Sequence, residues 1–259
     1  MAIDLGKEGR WLGEIDRHRE LRDQLLVIDT PLSEVKSSMT HPWICRAEDK
    51  ELYVIKFQVP NNPSLVRSYA AEQVVARLGQ LIHAPVAPVF LSSCTSSLLG
   101  ANPLLSSFCA GVCHATRLEK VEAAELRPIP PPTSQQDRED FAKLAVLFGW
   151  CVGSDQQLLR LAADSSTRPD GILSVDHGLF FPGALGWSRA HLESAGPPVI
   201  DPIFMDVERT VVDETIARLK LVTDDQIARA IAHIDPSWGV SDEDCVALAL
   251  YLSRRRDIL

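Results

Sequence analysis

The strongest helical periodicity in the chain lies over residues 137–152, where Phe141, Leu144, Ala145, Phe148 and Val152 recur on one face. That pattern stops at a polar turn, Gly153-Ser154-Asp155. The spacing then predicts a strand over 158–163, a turn over 164–171 and a second strand over 172–175, which ends in Asp176-His177-Gly178. A hairpin sets these two strands side by side. Asp155 stands where the first begins and Asp176 where the second ends, so antiparallel pairing places both carboxylates at one end of the hairpin. Two carboxylates held together suit a divalent cation and a general base. They equally fit ordinary turn aspartates.

The first half of the chain alternates instead. Residues 1–21 read as a polar helical extension, and 25–28 as a short apolar strand. Strands over 42–47 and 52–58 flank the turn Glu48-Asp49-Lys50. In the second of these, Tyr53, Ile55 and Phe57 share one face and Leu52, Val54 and Lys56 the other. Lys56 sits inside YVIKF, a strand apolar enough to be buried, and a buried ammonium is paired or loses its charge. Two readings stand: Lys56 snorkels at a sheet edge, or it meets a phosphate and a carboxylate. Asn62-Pro63 marks a helix start, with a helix over about 64–82. Glu72 falls within its apolar stripe of Leu65, Tyr69, Val75, Leu78 and Leu81. A lone helix glutamate is ordinarily solvated. An acid on an apolar face wants a cation, and Lys56 is the nearest buried one in sequence.

Further on, 85–91 reads as an edge strand because of Pro88, 92–107 shows no clear pattern, and 110–117 reads as a strand near a crossing between lobes. The stretch LRPIPPPTSQ is an extended spacer. After the hairpin, a loop containing Phe180 and Trp187 packs on the helical part, and helices follow over 206–221, 224–234 and 241–255. Arg254-Arg255-Arg256 ends the last helix, where cations suit the dipole, and reads as structural. The organisation expected is an N-terminal helical extension (1–21), an N-lobe (22–125), a proline-rich spacer (126–136) and a helical C-lobe carrying the hairpin (137–259).

Charge narrows the partners. A net charge of −9 disfavours wrapping nucleic acid or resting on an anionic membrane. No apolar run approaches the roughly 20 residues that cross a bilayer, and the charged N-terminus lacks a signal-peptide core, so a cytoplasmic location is expected. The six cysteines lack zinc-site spacing and read as reduced, mostly buried thiols.

Taken in order, a strand lysine, a helix glutamate, an acidic turn and an Asp-x-Gly are the parts that phosphoryl transfer needs. Over about residues 25–185 the sequence resembles the HipA-like kinase family of the protein-kinase/phosphatidylinositol-kinase-like fold. The resemblance rests on YVIKF, YAAEQVVARLGQLIHAPV, GSDQQLL and SVDHGLFFPG. It implies an α+β, two-lobed protein-kinase-like fold, with a small, mainly β N-lobe holding one helix and a larger helical C-lobe. It implies ATP and Mg²⁺ as cofactors. Lys56 would contact the ATP phosphates, Glu72 would hold Lys56, Asp155 would be the catalytic aspartate and Asp176 would bind the metal. VKSSMTHP is similar to a serine-containing phosphate loop, which makes Ser37 and Ser38 nucleotide contacts.

The chain departs from the family pattern in three places. Arg160 stands where the family's better-known members carry a metal-binding asparagine, with Gln156 or Gln157 as substitute amides; Gln157 is the candidate ligand. Gln156 replaces the usual arginine after the catalytic aspartate, and the phosphate loop has no glycine. Two functions follow as expectations: a kinase acting on a protein hydroxyl, a small molecule or itself, and a catalytically weak or inactive nucleotide-binding pseudokinase serving as a regulatory module. A toxin–antitoxin role rests on family analogy alone.

Overall fold

Alternating burial rolls five strands into a barrel: β1 (Leu26–Glu34), β2 (Trp43–Ala47), β3 (Leu52–Gln58), β4 (Val89–Cys94) and β5 (Cys109–Arg117). The computed structural model describes residues 5–22, 24–36, 40–60, 62–123, 132, 134–165, 168–200 and 207–259. The strands close in the order β1-β2-β3-β5-β4, and parallel pairing of Leu26 and Val27 with Ser92 and Ser93 seals the ring. Tyr53, Ile55 and Phe57 point into the barrel with Trp43, Cys45 and Ala115. The opposite face of β3 therefore turns Lys56 outward, toward the helices.

Two of the expected strands differ. β1 runs on past residue 28 through Pro31, and register shifts around Thr30 and Pro31 absorb the proline. The expected edge strand at 85–91 is β4, begins at Val89, and is no edge: β1 flanks it on one side and β5 on the other. Pro88 stands just outside, where its missing N–H costs the ladder nothing, while its carbonyl accepts from the Arg117 N–H at 3.0 Å.

Helix α1 (Leu5–Glu20) precedes the barrel, and α2 (Pro63–Leu81) follows β3. The Asn62 side chain caps α2 by accepting from the Leu65 N–H, with Pro63 at the first helical position. The short α3 (Ser96–Ala101) and β6 (Val121–Ala123) lead to α4 (Gln135–Cys151). Most of the proline-rich spacer lies outside the described residues, and α4 already begins within its last two positions. β6 pairs with the hairpin of β7 (Gln157–Leu161) and β8 (Ile172–Val175). The chain closes with α5 (Arg189–Ser194), α6 (Arg209–Lys220), α7 (Asp224–Ile231) and α8 (Asp242–Ile258). Trp187 and Phe180 are fully buried, as packing residues should be.

One apolar core runs from α2 through α4, α7 and α8, and α1 adds Trp11 and Ile15 to it. Arg255 is buried and donates to the carbonyls of Gly149 and Trp150 at 2.7 Å each, satisfying the end of α4. The helical part also reaches back to the barrel. Ser237 Oγ accepts from Gln58 Nε2 at 2.9 Å, Trp238 Nε1 donates to the Val112 carbonyl at 2.9 Å, and the Trp238 ring meets Tyr69 of α2 edge-on. Arg67 of α2 donates to the Gly239 carbonyl at 3.1 Å and pairs with Asp244 at 3.0 Å. All six cysteines are free, five of them buried. Among the described residues no helix is long and apolar enough to cross a membrane.

Candidate active site

Three segments distant in sequence converge on one ammonium. Lys56, opposite His114 in the β3–β5 ladder, is 6% exposed and ion-pairs with Glu72 of α2, itself 2% exposed. The same Nζ lies 2.7 Å from Asp176 Oδ1, at the end of β8. Burial works against the charge on Lys56, but Glu72 and then Asp176 outweigh it, and its pKa is raised. The edge-snorkelling alternative for Lys56 is thereby removed. Glu72 also accepts from the backbone N–H of His177 at 3.1 Å, so α2 holds the lysine and the acidic turn together.

Gly178 follows in that turn for a steric reason. A Cβ there would lie 3.1 Å from Ser68 Cβ and 3.2 Å from Glu72 Oε1, against the pair it faces. The other acidic turn is set by the end of α4, where Val152 takes a left-handed conformation and the Gly153 N–H returns to the Phe148 carbonyl at 2.8 Å. A Cβ on Gly153 would meet Phe148 and Phe180, both at 2.9 Å. Phe180 packs edge-on against Phe148 and His177, so one ring supports both turns. Ser154 Oγ donates to the Leu179 carbonyl and the Phe181 N–H to the Cys151 carbonyl, tying the turns further.

Asp155 and Asp176 both sit at positive φ, +49° and +56°, a conformation uncommon outside glycine and more tolerable for Asp than for most residues. Asp155 is exposed. Its Oδ2 accepts from Gln157 Nε2 at 3.2 Å. Gln157 opens β7 directly opposite Val175, so it shares the hairpin end with Asp155 and Asp176. Arg160 lies near the turn end of the hairpin, opposite Ile172, and grips Asp137 of α4 with two nitrogens, at 2.7 and 3.2 Å. Of the sequence-derived residues, the structure joins Lys56, Glu72 and Asp176 directly and Asp155 to Gln157. Ser37 and Ser38 lie outside the described residues. Asp155, Asp176 and the Gln157 amide supply hard oxygen donors at one sheet end, a set that fits a Mg²⁺-sized cation.

Sequence reasoning missed the polar layer behind the lysine. His114 is fully buried and meets Gln73 Nε2 through Nδ1 at 2.9 Å, with its Nε2 3.8 Å from Glu72. The alternation of AGVCHATR places His114 on the lysine's side of the ladder, which was its available signal. His177 reaches Ser174 Oγ at 2.9 Å. Burial pushes the His177 imidazole down to about 4 and holds that of His114 well below its ordinary value. A histidine depressed on folding stabilises above its unfolded pKa of about 6.5 and loses that contribution as pH falls toward its folded value. The unfolding free energy from urea titrations should therefore hold above about pH 6.5 and fall toward pH 4, by roughly 3 kcal/mol from His177 alone at about 1.36 kcal/mol per unit, with the urea midpoint falling in step. A midpoint unchanged between pH 7.5 and 4.5 would contradict the burial of these rings.

A family model described as HipA-like kinase matches residues 28–162, a stretch that spans Lys56, Glu72, Asp155 and Gln157 and ends before Asp176. Among solved structures, the chain is similar to the Helicobacter pylori proinflammatory kinase CtkA, at 11% identity over 90% of this chain and 93% of that one, with a TM-score of 0.57. It is also similar to the Golgi casein kinase, at 10% identity over 99% and 75% of the two chains, with a TM-score of 0.48. No curated protein matches the sequence. The CtkA likeness speaks to the fold, and the α+β arrangement described above is protein-kinase-like.

Proposed function

This chain belongs to the HipA-like kinase family, and from that premise we propose that it transfers the γ-phosphoryl group of Mg-ATP to a hydroxyl acceptor. The observation that carries this reading is the single buried ammonium of Lys56 bound by carboxylates from α2 and from the end of β8. In the proposal, Lys56 leaves Asp176 to neutralise charge on the phosphates, while Glu72 keeps its ammonium in place. Asp176 and the amide oxygen of Gln157 would hold Mg²⁺, which would supply positive charge against the phosphate oxygens. Asp155, exposed at the cleft-side turn, accepts the proton of the acceptor hydroxyl. Ser37 and Ser38 donate to phosphate oxygens. The acceptor is a protein Ser or Thr, a small molecule or the enzyme itself.

The second reading is a nucleotide-binding pseudokinase that regulates a partner by shape. It is favoured by the absence of any asparagine between Asp155 and Asp176 and by the engagement of Arg160 with Asp137.

Both readings require nucleotide binding. Mg-ATP at about 100 times its Kd should stabilise the protein by about 2.7 kcal/mol, a rise in Tm of several degrees. Lys56→Ala and Asp176→Ala should each remove that rise. No shift in the wild-type protein would exclude both readings.

A further inference from the structure

A cavity of about 390 Å³ opens beside the turn that carries Asp155. Val152, Pro182, Pro197 and Val199 give it apolar walls. Gly153 and Gln156, the residues on either side of Ser154-Asp155, line it as well. The Gln156 side chain donates to the Gly153 carbonyl at 3.3 Å, so these two lining residues fasten the turn in which Asp155 stands. Gln156 occupies the position where an arginine usually follows the catalytic aspartate, which leaves this wall uncharged. Arg255 is the one charged residue among the described residues of the lining, and its guanidinium is committed to the carbonyls of Gly149, Trp150 and Gly196. Two features set the walls apart from ordinary packing. Val152 and Val199 remain 38% and 68% exposed. Val152 also holds a φ of +59°, an outlier for a β-branched residue at a helix end where Gly or Asn sits without strain.

We propose that this cavity receives an apolar side chain of a polypeptide acceptor, from a residue within two positions of the Ser or Thr whose hydroxyl meets Asp155. The inference rests on the kinase reading and narrows its acceptor to a protein segment. Gly153 lies two residues and Gln156 one residue from Asp155, a backbone reach of at most about 7 Å, which an extended peptide covers in two residues. Small-molecule sites fix their ligand with convergent polar groups. Here the Gln156 amide and the Arg255 guanidinium are already turned to backbone carbonyls. An occupant therefore gains apolar burial from the cavity and takes its orientation from the chain to which it belongs. The volume stands at the low end of the roughly 300–1,000 Å³ of ligand clefts and suits a Leu- or Phe-sized side chain. Lys56, Glu72 and Asp176 are not in the lining, so the cavity is separate from the nucleotide contacts. In the step it serves, the acceptor Oγ bonds to the γ-phosphorus, the bond from that phosphorus to the β–γ bridging oxygen breaks to release ADP, and the hydroxyl proton passes to Asp155.

Positional-scanning libraries of Ser- and Thr-containing peptides, incubated with the full chain and labelled Mg-ATP, test the site. Leu, Ile, Met or Phe at one position within two residues of the acceptor should be preferred at least tenfold over Asp or Lys at that position. Val199→Glu should erase the preference and raise KM for a Leu-containing peptide at least tenfold, while the Mg-ATP-induced rise in Tm is kept. Val199 is exposed, so this variant should melt with the wild-type protein. Val152→Asn, which suits the positive φ, should weaken the preference in the same direction. Transfer to peptides without an apolar preference, or a preference untouched in both variants, would overturn the proposal and leave the kinase reading standing. No transfer to any peptide would overturn it as well, alone if labelled ATP is still turned over and together with the kinase reading if it is not.

Discussion

Asp155→Asn should lower phosphoryl transfer by roughly 10²–10⁴-fold while keeping the nucleotide-induced rise in Tm. The two readouts separate because Asp155 is exposed at its turn, whereas Lys56 and Glu72 are buried and paired, with Asp176 on the same ammonium. Asparagine is the cleaner replacement, since it tolerates the +49° φ at this position better than alanine does. It also preserves size at a residue whose Oδ2 accepts from the Gln157 amide. The measurement is transfer or hydrolysis of labelled ATP by the wild-type and variant proteins, beside thermal melts with Mg-ATP. Equal turnover in the two proteins, with binding kept in both, would favour the pseudokinase reading.

The second large effect concerns stability. Arg160→Leu should cost about 3–5 kcal/mol, because it takes the Arg160 guanidinium away from the fully buried carboxylate of Asp137. Removing both charges with Asp137→Leu and Arg160→Leu should restore part of the loss, since an apolar pair leaves no orphaned ion. Urea denaturation of the three variants decides it. Below its melting temperature, Arg160→Leu should still bind nucleotide, because Arg160 lies toward the turn end of the hairpin, away from the acidic end. A loss of binding without a loss of stability would return Arg160 to the active site. Counting five residues from Asp155 leads to Arg160, yet β7 already begins at Gln157. Gln157, three residues earlier, is the one hydrogen-bonded to Asp155.

Much of the candidate site was legible because it follows from local rules. Lys56 stood out as a charge within an alternating apolar strand, and Glu72 as a charge on a helix's apolar stripe. Two buried opposite charges need one another, which predicts their contact without a fold. The hairpin end followed from turn residues and antiparallel pairing. What escaped depends on pairing between remote segments. β4 lies beside β1 only because the barrel closes, and nothing near Pro88 encodes that. The contacts of Trp238 with Tyr69 and Val112 join residues far apart in the chain, as do those of α1 with the last helices. The role of the His177 N–H was hidden because backbone donors carry no sequence signature.

The seating of α2 bears on how the cleft admits its ligand. Its Tyr69 abuts Trp238, its Arg67 is fastened to Gly239 and Asp244, and its Glu72 is bonded to the His177 backbone. A rod pinned on several sides makes a poor lever: swinging it outward would break all of these attachments at once. Barrel strand β3 is joined to the same block through Lys56 on Glu72 and Gln58 on Ser237, so a ligand meets the lysine already in place.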